Sequence, residues 1–191
     1  WSGDVGEEIF LRALRLEALK PVVTAPLRAL AERHGVPLRD DRHDQARALL
    51  EALEHKQFPE REAYITMAWA FAGYRPDEMM AFAEALIDER GGAALHHAEL
   101  APILDWARGE QVERRVVSAS PQMVVEQGVS RLSIPRRNVL AMRPTIIDGY
   151  YQPAIDEPAT YAEGKAEALR RFVEGASVLG AFGDNSFDVR M

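Results

Sequence analysis

The chain contains no cysteine, which removes disulfides, thiolate metal sites and cysteine nucleophiles together. It lacks any apolar run approaching the ~20 residues that span a bilayer, and no signal peptide is visible. Positive charge is in short supply: 23 Lys and Arg face 30 Asp and Glu over 191 residues, a formal charge of −7. Without a basic block or a Lys/Arg stripe, the electrostatic footprint of a nucleic-acid binder is missing. The histidines (His34, His43, His55, His96, His97) show no zinc-ligand spacing, and no His-Glu-x-x-His occurs. They read as surface or hydrogen-bonded residues. These absences predict a soluble, cytoplasmic protein, monomer or homodimer, with a small-molecule partner and neither nucleic acid nor membrane.

What is present falls into two textures. From about Val5 to Arg90 the signals are helical. Asp4 and Glu7 have capping-box spacing ahead of Ile9, Leu11, Leu14 and Leu16. Thr24 can cap a helix with Pro26 in its first turn and Gly35 beyond its end. Further helices are predicted over Arg47–Lys56, over Pro59–Ala72, and from Pro76 to the Gly91-Gly92 pair, with Trp69, Phe71, Met79, Met80 and Phe82 as bundle core. From about Leu95 helix and strand alternate. Ala98–Arg108 reads as helix, Arg114–Val117 as strand and Gln122–Leu132 as helix. A hairpin turns at Asp148-Gly149, Gly164–Val173 is helical, and Val178–Phe182 is an all-apolar strand. Strands without alternation, separated by helices, predict a Rossmann-like parallel sheet in a three-layer αβα core with an inserted helical bundle. The boundaries expected are a lead-in segment over 1–16, a helical cap over 17–91 and an α/β core over 92–191.

Three places carry chemistry. Asp184 and Asp188 follow the predicted Val178–Phe182 strand, and Asn185 and Ser186 add oxygens suited to a hard cation such as magnesium. Ser118 lies at the end of the earlier strand, where its hydroxyl can donate to a phosphate oxygen or, equally well, Ser118 or Ser120 can cap the next helix. It is no Gly-x-Ser-x-Gly nucleophile. Lys165 follows Gly164 in a first helical turn, a position the helix dipole disfavours and an anionic substrate would explain.

Val116-Val-Ser118, Gly164-Lys165 and Gly183-Asp-Asn-Ser-Phe-Asp188, in that order, resemble the second, third and fourth motifs of the haloacid dehalogenase superfamily. The likeness is to its phosphoserine-phosphatase-like branch with a helical cap, and 47 positions from Ser118 to Lys165 and 19 more to Asp184 suit that branch. The resemblance implies a magnesium-dependent phosphomonoesterase acting on a small phosphorylated metabolite through an aspartyl-phosphate. Ser118, with Ala119 beside it, would contact the phosphoryl oxygens, and Lys165 would neutralise them. Asp184 would ligate magnesium and Asp188 would support the metal site. Asp4 would either read a substrate amine or cap the first helix. The family's first motif, Asp-x-Asp-x-Thr, is absent, so the nucleophile is expected upstream of Trp1 and the protein to extend at both ends. The alternatives are a phosphotransferase or dehalogenase of the same fold, or a non-catalytic phosphate-binding protein. The metal motif argues against the dehalogenase.

Overall fold

The computed structural model describes residues 5–92, 96–183 and 188. Helix α1 (Val5–Arg15) buries Ile9, Phe10, Ala13 and Leu14 along one face. In α2 (Thr24–Arg33) Thr24 is the first helical residue and not the cap, because its amide already bonds the Pro21 carbonyl of a preceding 3-10 turn. Helix α3 (Arg42–Glu54) starts at Arg42 and not Arg47. Asp41 caps it, accepting from the amides of His43 and Asp44. Helices α4 (Glu60–Trp69) and α5 (Pro76–Glu89) follow, the latter with Pro76 and two acids in its first turn. Phe71, Met79, Trp69 and Leu27 join one apolar cluster, with Met80 and Phe82 packed against it, as the sequence predicts. His43 is buried and satisfied: its Nε2 accepts the Leu19 amide at 3.1 Å, and its Nδ1 lies 3.0 Å from Asp41.

After α6 (Ala101–Gly109), strand β1 (Val116–Pro121), helix α7 (Gln122–Ser130) and strand β2 (Val139–Met142) form a βαβ unit. Val116 pairs with Val139 and Val117 with Leu140, in parallel. The Gln122 side chain fastens α7 to β2 by accepting the Ala141 amide at 2.9 Å. Strands β3 (Pro144–Ile147) and β4 (Tyr150–Ile155) make the expected antiparallel hairpin. Asp148 and Gly149 turn it with φ values of 53° and 82°, the left-handed pair a two-residue turn requires. Helix α8 (Glu163–Phe172) packs against both β1 and β2.

Two expectations are corrected. The strand predicted to end at Val117 runs on to Pro121, so Ser118 and Ala119 lie within β1 and not at its end. The run Val178–Phe182 is not a strand, and Val178, Leu179 and Phe182 are 57%, 70% and 67% exposed. A strand needs a neighbour to receive its amides and carbonyls. Among the described residues β1 and β2 pair only with each other, and no strand pairs with 178–182.

The helical and α/β regions meet through backbone as well as side chains. Tyr151 on β4 accepts the Gly73 amide at 2.8 Å and donates its own amide to Tyr74 at 2.9 Å. Helix α5 lies on α7, where Gln127 donates to the Met80 carbonyl at 3.1 Å and Arg131 pairs with Asp88. Among the described residues no helix is long and apolar enough to cross a membrane.

Candidate active site

The site grows out of the start of α8. The segment Ala159–Ala162 folds tightly before it, with Tyr161 donating its amide to Ala159 and Gly164 to Tyr161. Ala162 takes φ 47°, ψ −121°, a conformation that costs an alanine about 1–3 kcal/mol and persists only where the surroundings impose it. Gly164 is required sterically, since a Cβ there would run into the Ala159 carbonyl oxygen. This turn sets Lys165 on the third position of α8, facing inward and 8% exposed.

The Lys165 ammonium meets the Asp188 carboxylate, Nζ to Oδ1, at 2.7 Å, both side chains being 10% exposed. A charge pair so far removed from water is held by geometry, because desolvation offsets much of its attraction. Asp188 also lies against Gly183, where any Cβ would strike its side chain. Ser118 is half-buried in β1, the strand on which α8 packs. Its Oγ accepts the Ser120 amide at 3.1 Å, so it caps no helix and its own proton remains for another acceptor. Ala119 beside it is also half-buried.

The fold thus brings Lys165 and Asp188 together, with α8, which carries the lysine, packed against β1. Asp4 and Asp184, with Asn185 and Ser186, lie outside the described residues. Among the described residues no group of three or more His, Asp or Glu assembles a metal site. Asp188 offers the hard oxygen that magnesium prefers, with one oxygen already on Lys165, so the donor chemistry fits in kind.

The sequence reading missed an aromatic wall next to this turn. Tyr161 stacks on Tyr64 of α4 with ring centroids 5.5 Å apart. Burial, reinforced by Glu60, pushes the Tyr161 phenol up to about 12, so it stays a proton donor at neutral pH. Tyr64, Glu60 and Met67 also line a cavity of about 480 Å³ that reaches Glu7 on α1 and Lys56 after α3. A tyrosine three residues before the Gly164-Lys165 pair was the available signal, but only the fold shows it against α4.

The model of the haloacid dehalogenase-like hydrolase family matches residues 24–191, which takes in β1, α8 and the Lys165–Asp188 pair. The chain belongs to that family. A solved structure of a protein with unknown function from Bordetella pertussis Tohama I is similar at a TM-score of 0.62 and 18% identity. The alignment covers 90% of this chain and 67% of that one, a likeness that speaks for the fold alone. No curated protein matches the chain. This haloacid dehalogenase-like chain thus has the α/β fold of its family, a parallel sheet attended by several helices.

Proposed function

We propose that this haloacid dehalogenase-like hydrolase is a magnesium-dependent phosphomonoesterase of the phosphoserine-phosphatase-like kind, acting on a small phosphorylated metabolite. The observation that carries the proposal is the enclosed Lys165–Asp188 pair at 2.7 Å, its lysine on the helix that packs against the Ser118 strand. Phosphoryl transfer relies on positioning and charge neutralisation, and these groups are suited to both. The Ser118 hydroxyl donates to a phosphoryl oxygen, with Ala119 beside it. The Lys165 ammonium, held by Asp188, neutralises the transferring group. Asp184 and Asp188 would hold magnesium, which when bound supplies further neutralisation of phosphate charge. Asp4 fits a substrate amine. The helical region 17–91 acts as a cap on the 92–191 core, led into by 1–16, and the cavity walled by Tyr64 takes the body of the substrate.

The test is hydrolysis of p-nitrophenyl phosphate by the full-length protein with magnesium and with chelator. We expect magnesium-dependent turnover, with kcat/KM lowered about 100-fold or more in Lys165→Met and in Ser118→Ala. Metal affinity should fall in Asp184→Asn. Turnover indifferent to chelator and to Lys165→Met would refute the assignment.

A further inference from the structure

A second cleft, of about 380 Å³, opens where α5, α7 and the β3–β4 hairpin meet, and none of its lining residues belongs to the site around Lys165. Its apolar surface comes from Met80, Met123 and Ile146. Arg136 and Arg143 also line it, together with Tyr151, whose residue is only 6% exposed.

The polar groups here are unequally committed. Asp77 is taken by Arg75 at 3.2 Å. Glu126 accepts from the Gln122 amide at 2.7 Å and faces the Arg136 guanidinium at 3.8 Å. Arg143 has no carboxylate partner among the described residues, and the Tyr151 hydroxyl makes no hydrogen bond among them either. Tyr151, Arg143 and Glu126 line the same cleft. The Tyr151 ring is buried while its hydroxyl still reaches solvent, so its proton is available to an acceptor that enters the cleft. A donor of one charge, a donor hydroxyl and an apolar floor therefore converge on one cleft.

We propose that this cleft binds a small monocarboxylate with an apolar body, its carboxylate on Arg143 and the Tyr151 hydroxyl and its body on Met80, Met123 and Ile146. One uncommitted guanidinium matches one negative charge, whereas the nearby Glu126 and Asp77 carboxylates oppose a dianion such as phosphate. The volume suits a ligand of single-ring size. Since α5 belongs to the helical region and α7 and the hairpin to the α/β region, an occupant would touch both. The proposal is independent of the phosphatase reading.

The test is titration of the full-length protein with benzoate, phenylacetate and 3-phenylpropionate by calorimetry, with benzamide and inorganic phosphate as controls. We expect saturable millimolar or tighter binding of at least one carboxylate, and none of benzamide. Arg143→Met, which keeps an apolar stem, should weaken it about tenfold, and Tyr151→Phe should weaken it several-fold. Thermal midpoints of both variants confirm that they remain folded. No saturation by any of the three carboxylates overturns the proposal, as does affinity unchanged in Arg143→Met, or phosphate binding in place of carboxylate.

Discussion

From α1 to α5 the chain closes its backbone hydrogen bonds inside each helix and gathers its side chains into one cluster reaching from Val5 to Ile87. From β1 to α8 the chain relies on longer-range pairing. There the strands depend on partners far along the chain, and a separate small cluster of Val125, Val129, Ile134, Val139 and Ala141, with the Gln122 side chain, supports the β1–β2 pair from the α7 side. The helical cluster even recruits Met123 and Val124 of α7 and Tyr151 of β4. The two regions are therefore not equals. The helical one supplies apolar mass, and the α/β one holds the enclosed Lys165–Asp188 ion pair.

That asymmetry can be broken most forcefully at Phe71, which is 1% exposed in the larger cluster. Phe71→Ala should cost about 3–5 kcal/mol, against about 1.5 kcal/mol for Val139→Ala in the smaller one. Chemical denaturation measures both, and hydrogen exchange should show α7 losing protection with Phe71→Ala. Equal costs, or an undisturbed α7, would mean that the regions are stabilised separately. A middle-sized effect is expected at Gly164, where a methyl group would press on the Ala159 carbonyl. Gly164→Ala should cost about 1–3 kcal/mol and reduce p-nitrophenyl phosphate turnover far more than the equivalent change at Gly109, which meets nothing. Loss of stability with turnover intact would detach the α8 start from the chemistry.

The smallest effect is confined to alkaline solution. Burial, then Glu126, pushes the Tyr151 phenol from its ordinary 10.0 up to about 12. A group whose folded value is raised contributes stability that is complete below the unfolded value and drains away as pH climbs through the folded one. Denaturation midpoints should therefore decline between pH 10 and pH 12 more steeply in the wild type than in Tyr151→Phe, which has no proton to lose. Parallel declines would show that the phenol is hydrated despite its burial.

How much was legible follows the same division. The five helices of the first region were readable because periodicity and caps are local, and the errors at Thr24 and Arg42 were errors of capping: a 3-10 turn and Asp41 settled those starts. The hairpin was readable because Asp148-Gly149 dictates its own turn. The strand assigned to Val178–Phe182 failed because apolar composition supplies no partner, and its exposure shows that burial was inferred and not encoded locally. At the site, Lys165 and Asp188 were singled out by motif order, while their ion pair was not, because 23 positions separate them and only the fold closes that distance. Tyr161 was not singled out, because only the packing of 159–162 on α4 gives it a purpose.

The exchange between Tyr151 and the Gly73–Tyr74 turn is made of peptide groups alone, an amide and a carbonyl in each direction. Such a junction does not use the side chains of Tyr74 and Tyr151 as bonding groups; it asks only for a donor, which proline would remove, and for glycine at 73, where φ is 86° and a Cβ would meet Val22 and Lys20. The joint can thus stay constant while the side chains around it are replaced. Arg143 and Ile146 can change toward new ligands without touching these two bonds, so the scaffold is able to diversify its recognition chemistry while keeping this joint.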